Sequence, residues 1–234
     1  MIETWAPGKL FIAGEYAVVE PAQPAVLVAV NRGIRVRLTE RAHATAASAS
    51  SHVLAALDVI EELRGERGLA RRYGDLSITS ELEDEHGVKY GLGSSAAVTT
   101  AVIDAFGQLY ELGLSDLERF KLSLLATITV TPQASGGDLA ASTFGGWLRY
   151  SAPNRTLLAT HRAQHGVSAA LDDQVVWQGL EFRTLPAPQQ LCLAVGWTVS
   201  PASTEALVGQ SGIAGHEQTP ASPLSPHEFL AASR

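Results

Sequence analysis

The chain has 234 residues, of which 46% are hydrophobic and 18% charged, with a net charge of −7. This length and apolar content suit one large domain or two small ones, and they exclude a disordered chain. The acidic balance argues against general binding to nucleic acid or to anionic membranes. Cys192 is the single cysteine, so the sequence excludes an internal disulfide and a multi-cysteine zinc site.

The N-terminus lacks the charged and then apolar pattern of a signal peptide. The longest apolar stretches, such as residues 25–30, are far shorter than the ~20 residues of a membrane helix. Together with the cysteine usage, this predicts a soluble protein of the cytoplasm, with no membrane partner.

The hydrophobic patterns predict the secondary structure in chain order. They predict a strand over 9–19, a second strand over 26–38 with a bulge or bend at Gly33, a loop over 42–51, a helix over 52–66 and a strand over 76–82. These are followed by a glycine turn and helix over 91–110, a helix over about 116–128, a loop, short helix and strand over 135–150, a buried strand over 191–197 and a linker over 209–226. Ser115 and Glu118 form a capping box for the helix that follows them. Strands and helices are mixed without regular alternation, which predicts an α+β fold.

The sharpest local feature is the turn formed by Gly91, Leu92, Gly93, Ser94, Ser95 and Ala96. Glycines let backbone N–H groups approach a ligand, and a helix N-terminus carries unpaired donors and partial positive charge, so the turn suits a phosphate. A glycine turn with a serine N-cap and no ligand is the alternative, and the motif alone leaves both open. The turn is neither a Walker A motif nor a dinucleotide-binding fingerprint, because the lysine of the first and the third glycine of the second are missing.

The three lysines of the chain are Lys9, Lys89 and Lys121, against fourteen arginines. Lys9 and Lys89 lie beside glycine motifs, and a compact ammonium is a good point charge for phosphate oxygens. These two lysines are therefore predicted to contact a polyanion, whereas Lys121 is predicted to be a solvated surface residue.

A second glycine motif places Asp138 directly after Ser135, Gly136 and Gly137. This aspartate is either a helix N-cap or a carboxylate presented to a reacting group, and local sequence favours the cap. His161 and His165 lie four residues apart but have no third ligand in a metal-binding pattern, and Cys192 is predicted to be a core residue.

Three segments together resemble the GHMP kinase family of small-molecule kinases. They are residues 6–19 (APGKLFIAGEYAVV), 89–97 (KYGLGSSAA) and 135–142 (SGGDLAAS). The resemblance implies a two-lobed α+β fold whose N-terminal lobe is similar to ribosomal protein S5. It places an ATP-binding lobe at residues 1–185 and the beginning of an incomplete C-terminal lobe at 186–234.

Within the family, the pairing of Gly14-Glu15-Tyr16 with residues 89–93 resembles the members that act on 5-phosphomevalonate, as do residues 145–147, 195–198 and 201–204. This resemblance implies transfer of the ATP γ-phosphoryl group to 5-phosphomevalonate, which gives 5-diphosphomevalonate in isoprenoid synthesis. By position, residues 91–96 would wrap the ATP phosphates, and Ser94 or Ser95 would lie near Mg²⁺. Lys9 and Asp138 would be catalytic, and the substrate contacts would be Lys9, Tyr16, Lys89, Ser135 and Ser203.

Two alternatives stay open at this point. One is a family member that phosphorylates a hydroxyl group, such as that of mevalonate, and the other is a non-catalytic remnant that binds nucleotide. Family members are longer and carry a third glycine-rich motif that has no match here. Ser225 and Glu228 carry the signals of a helix start, yet the chain stops at Arg234. The expectation is an N-terminal lobe followed by a truncated C-terminal one, and the sequence indicates no oligomeric state.

Overall fold

The computed structural model describes residues 1–43, 49–190 and 192–197. The predicted substrate contact Ser203, the linker over 209–226 and the helix start at Ser225 lie outside the described residues. The predicted boundary near residue 185 stays a prediction.

The described strands form one antiparallel sheet with a long central strand. The strands are β1 (Ile2–Ala13), β2 (Pro24–Arg41), β3 (Tyr73–Ser80), β4 (Trp147–Ser151) and β5 (Glu181–Leu185). One edge of β2 pairs with β1, and its other edge pairs with β4 near the start of β2 and with β3 near its end. β5 continues the sheet beyond β4. This arrangement makes β2 the scaffold on which the other strands are aligned.

In the described part of the chain, five α-helices cover the sheet in two tiers. They are α1 (Ser51–Glu66), α2 (Ser94–Leu109), α3 (Asp116–Val130), α4 (Gly137–Phe144) and α5 (Arg155–Asp172). α2 and α4 pack against the strands, α1 and α3 pack against α2, and α5 packs against α1 and α3. The core lies between strands and helices and includes fully buried Leu27 and Leu38 of β2, Ile103 of α2 and Phe120 of α3. Among the described residues, no helix has both the length and the apolar character needed to cross a bilayer.

The predicted capping box agrees with the observed cap of α3. Ser115 accepts a hydrogen bond from the N–H of Glu118, whose carboxylate accepts from the N–H of Ser115, so the predicted capping box is confirmed. The helices predicted over 52–66, 91–110 and 116–128 and the short helix within 135–150 are confirmed as α1 to α4. The first strand begins earlier than predicted, at Ile2, because its early buried positions are the small residues Thr4 and Ala6 rather than large apolar ones.

α5 was not predicted, since its sequence carries a break. Gly166 has non-helical backbone angles (φ 85°) in the middle of α5, and a second helical segment starts after it. The carboxylate of Glu66 accepts hydrogen bonds from the N–H groups of Val167 (2.9 Å) and Ser168 (2.6 Å). A side chain of α1 thus caps the second segment of α5 and joins the two helices.

Two predictions about buried and exposed residues are wrong. Residues 192–197 form no strand, and Cys192 is exposed. An apolar run becomes a strand only where a neighbouring strand satisfies its backbone hydrogen bonds. None of the described strands pairs with residues 192–197. Lys121, predicted at the surface, is only 4% exposed, because α3 is enclosed by α5 and by the 3₁₀ turn Gln174–Trp177.

Candidate active site

A shift in the pairing of β1 with β2 determines where Lys9 points. Pro7 pairs with Gly33 and Lys9 pairs with Ala29, so Gly8 alone opposes residues 30–32. Thr4 faces the helices, since its hydroxyl donates to the carbonyl of Ala101 in α2 (2.8 Å). Regular alternation from Thr4 would turn Lys9 to the opposite face. The shift reverses this alternation, so Lys9 also faces the helices and is only 9% exposed.

The glycine turn before α2 packs against the same part of β1. The backbone N–H of Lys9 donates to the carbonyl of Leu92 (2.8 Å). A side chain at Gly8 would not fit, since its Cβ would lie 2.6 Å from that carbonyl oxygen. The absence of a side chain at Gly8 therefore allows the turn to reach Lys9.

The N-cap of α2 is Gly93, in the left-handed conformation at φ 80°. The alternative of a serine N-cap is therefore wrong, and Ser94 and Ser95 are the first two helical residues. The first hydrogen bond of the helix runs from the N–H of Ala97 to the carbonyl of Gly93. The N–H groups of residues 94–96 precede it and have no acceptor within the helix, as expected for a first turn.

Asp138 lies in the first turn of α4, one residue after the helix begins. The N-cap is Gly136 (φ 81°), so the prediction of Asp138 as an N-cap is wrong. Its carboxylate accepts from the N–H of Leu139 (3.0 Å). The hydroxyl of Ser135 accepts from the N–H of Gly137, and the carbonyl of Ser135 accepts from the hydroxyl of Tyr150 (2.7 Å). Both bonds hold the chain that leads into the Asp138 turn.

Tyr150 lies fully buried beneath this turn. Burial raises the pKa of its hydroxyl, and the charge of Asp138 raises it further. The hydroxyl therefore stays protonated and keeps donating to Ser135 at physiological pH.

Two contacts that sequence reasoning missed join α4 to β1. The hydroxyl of Ser142 donates to the carbonyl of Pro7 in a buried hydrogen bond of 2.7 Å. The ring of Phe11 packs on Gly137, where an added Cβ would lie 3.0 Å from its Cζ. The small residues of the 135–142 motif were a signal of such close packing, but they do not reveal the partner strand.

The three predicted motifs meet at Gly93. A Cβ built on Gly93 would lie 3.1 Å from Cγ and 3.2 Å from Cε of Lys9, and 3.6 Å from Cβ of Asp138. Segments that are far apart in the chain thus present a lysine, a helix N-terminus and a carboxylate around one point.

Residues 51–146 match the family described as the GHMP kinases N terminal domain. The chain is 42% identical to a phosphomevalonate kinase from Streptomyces sp. (strain CL190), over 87% of this chain and 63% of that protein. Residues 51–146 of the chain are therefore assigned to the N-terminal domain of GHMP kinases. The Lin0012 protein from Listeria innocua is 31% identical and superposes with a TM-score of 0.82, over 89% of this chain and 64% of that one.

A further solved structure with a similar fold is Streptococcus pneumoniae phosphomevalonate kinase in complex with phosphomevalonate and AMPPNP. It superposes with a TM-score of 0.82 over all of this chain and 70% of that one, and at 23% identity this shows the shared fold. The predicted α+β fold of GHMP kinase type is confirmed. The chain spans less than two thirds of the length of the Streptomyces and Listeria relatives.

The ammonium group of Lys9 has no counter-ion in contact among the described residues of this site. Nζ lies 5.2 Å from the centroid of the Phe11 ring, and it forms no hydrogen bond or ion pair with any described residue. A cation on a mostly buried stem is costly unless an anion approaches it. The site therefore favours an anionic ligand beside Gly93.

The remaining predicted substrate contacts lie on flanking segments. Tyr16 follows β1, and burial, together with a hydrogen bond to Glu15, raises the pKa of its hydroxyl. Lys89 is exposed and pairs with Glu83 through an isolated β-bridge just before the glycine turn. Neither residue takes part in the contacts that join Lys9, Gly93 and Asp138.

Proposed function

We propose that this chain catalyses the ATP-dependent phosphorylation of 5-phosphomevalonate to 5-diphosphomevalonate, in the cytoplasm and as a step of isoprenoid synthesis. The observation that carries the proposal is the meeting of Lys9 and Asp138 at Gly93. The 42% identity to the Streptomyces phosphomevalonate kinase supports the choice of acceptor. Residues 1–185 are proposed as the ATP-binding lobe and residues 186–234 as the start of a second lobe.

In this proposal the turn over residues 91–96 holds the ATP phosphates. The N–H groups at the start of α2 and the positive end of the helix dipole supply donors and partial charge. Gly91 (φ 79°) has no heavy atom within 4 Å of an added Cβ, so the backbone there is open to a ligand.

The oxygen donors of the turn fit Mg²⁺. The hydroxyls of Ser94 and Ser95 form no hydrogen bond with described residues, and hydroxyl oxygen is among the hard ligands that Mg²⁺ accepts. We propose that one of the two holds the ion. Bound Mg²⁺ would neutralise part of the charge on the transferred phosphoryl group.

The acceptor chemistry defines the roles of Lys9 and Asp138. A phosphate monoester has its second pKa near 6, so 5-phosphomevalonate is mostly a dianion at neutral pH and needs little help from a general base. The larger barrier is the approach of two anions, which a cation between them lowers. Lys9 is proposed to lie between donor and acceptor phosphates, and Asp138 to orient the reacting groups.

The other proposed contacts to the acceptor are Tyr16, Lys89, Ser135 and Ser203. Ser135 is supported by its position, because it lies at the start of the Asp138 turn. Its hydroxyl oxygen accepts from Gly137, which leaves the hydroxyl proton for a phosphate oxygen.

The test is ADP release by the purified chain with 5-phosphomevalonate or with mevalonate as acceptor, with the product identified by mass spectrometry. The proposal expects turnover with 5-phosphomevalonate and formation of 5-diphosphomevalonate. Turnover with mevalonate alone would show a kinase with a hydroxyl acceptor instead. Binding of AMPPNP without turnover on either acceptor would show a nucleotide-binding module, and it too would refute the proposal.

A further inference from the structure

A cavity of about 530 Å³ lies where α3, β4, β5 and the turn Gln174–Trp177 meet. None of its lining residues belongs to the glycine turns or to β1. The residues that matter for its chemistry are Lys121, Arg149, Trp177, Phe182 and Arg183. Its volume falls in the range of small-molecule sites, roughly 300–1,000 Å³.

The inner wall of the cavity carries the buried cation Lys121. Its ammonium donates one hydrogen bond, to the carbonyl of Leu171 at the end of α5 (2.6 Å). An ammonium carries three N–H donors, so two remain without a partner among the described residues. Burial lowers the pKa of Lys121, while the charges of Asp172 and Glu118 act in the opposite direction.

An aromatic wall stands next to this ammonium. Nζ of Lys121 lies 4.9 Å from the centroid of the Trp177 ring. The indole N–H of Trp177 donates to the carbonyl of Ala170 (2.6 Å), which fixes the plane of the ring. Phe182 stacks on Phe144 with a centroid distance of 4.5 Å, so this second ring is also held in place.

The rim of the cavity adds two guanidinium groups. Arg149 and Arg183 are directly opposite each other in the β4–β5 pair. Glu181 pairs with Arg149 (2.7 Å), whereas Arg183 forms no ion pair or hydrogen bond with any described residue. Like charges directly opposite each other destabilise a sheet. The lining carries three cations and one acid, so the charge of Arg183 is not compensated.

From this arrangement we infer that the cavity binds a small organic anion, distinct from the substrates of the proposed reaction. Lys121 and Arg183 hold its anionic group, which is a carboxylate, sulfonate or phosphate. Trp177 and Phe182 contact its apolar body. The ligand needs both the anionic group and the apolar body, because the cations of the cavity lie beside fixed aromatic walls rather than beside open solvent.

The probe for this inference is 1-anilinonaphthalene-8-sulfonate, an aromatic sulfonate that fluoresces when bound. We expect saturable binding that Arg183→Gln and Lys121→Met each weaken about tenfold, the loss of one charge-assisted contact. Arg183 is exposed and unpaired, so its variant tests binding without a folding defect. Arg71→Gln makes the same charge change at an exposed ion pair with Glu61 and should leave binding unchanged.

Competition experiments test the anionic and the apolar part of the ligand separately. A variant of the proposed kinase site tests whether the probe binds in the cavity or in that site. Phenyl phosphate should displace the probe at concentrations at which inorganic phosphate or benzyl alcohol does not. Lys9→Met should not alter probe binding, so the outcome does not depend on the proposed kinase activity. The inference is overturned if Arg183→Gln behaves like Arg71→Gln, if the probe does not bind, or if Lys9→Met abolishes binding.

Discussion

The paired substitutions Gly93→Ala and Gly91→Ala test whether the Gly93 contact positions the proposed catalytic groups. Both glycines have nearly the same left-handed backbone, with φ of 80° and 79°. An added methyl group at Gly93 would lie 3.1 Å from Cγ of Lys9, whereas at Gly91 it would meet open space. The two variants therefore share backbone strain and differ in the contact with Lys9.

The magnitudes follow from these distances. A left-handed alanine costs about 1–2 kcal/mol, and this cost is common to both variants. At Gly93 the stem of Lys9 must also shift by a few tenths of an ångström, which adds about 1 kcal/mol because a flexible stem is the neighbour. A shift of that size in a group that is proposed to lie between two phosphates should lower kcat about tenfold.

Urea unfolding without ligand measures the stability difference, and ADP release at saturating ATP measures kcat. We expect Gly93→Ala to be about 1 kcal/mol less stable than Gly91→Ala and about tenfold slower. Equal stability and equal kcat in the two variants would refute the role given to the meeting of Lys9 with Gly93.

Three further predictions concern catalysis, helix capping and pH. Lys9→Met should lower kcat at least as much as Asp138→Asn, because the main barrier is repulsion between anions; a much larger loss at Asp138 in steady-state ADP release would contradict this. Glu66→Ala should lower the free energy of unfolding by about 1–2 kcal/mol, because it removes the acceptor of two N–H groups of α5. The control is Glu62→Ala, which removes one ion pair between α1 and α5 and should cost less than about 1 kcal/mol. Urea unfolding measures both values. The pKa of Tyr110 is raised from 10.0 to about 12. Burial of the hydroxyl is the largest cause, and its hydrogen bond to a carboxylate is the next. The folded chain therefore keeps this proton where the unfolded chain loses it, and stability should fall as pH rises from about 10 to about 12. In Tyr110→Phe the free energy of unfolding should fall less steeply across that pH range. An unchanged slope would count against this reasoning.

Local signals predicted the local parts of this structure well. The capping box at Ser115 and the glycine turn before α2 depend on residues within one or two helical turns, so the sequence contains their full cause. The convergence of Lys9 with Asp138 was available only through the family resemblance. No periodicity in the sequence indicates that a pairing shift at Gly8 turns Lys9 toward the helices.

Burial set by distant elements was not predictable in the same way. Lys121 is a typical surface residue by composition, and its burial depends on α5 and on the turn at Trp177, which lie about fifty residues further along the chain. Cys192 shows the reverse case, because its apolar neighbours predict a strand that finds no partner among the described strands.

The hydrogen bond between Ser142 and Pro7 has a consequence for the order in which the site is assembled. It joins residues that are 135 positions apart, so β1, although it precedes α4 in the chain, cannot be linked to α4 until most of the described chain has left the ribosome. Closing so long a loop carries an entropic cost that only the completed sheet and helices offset. The geometry around Gly93 thus depends on a contact that forms only once α4 has joined the sheet.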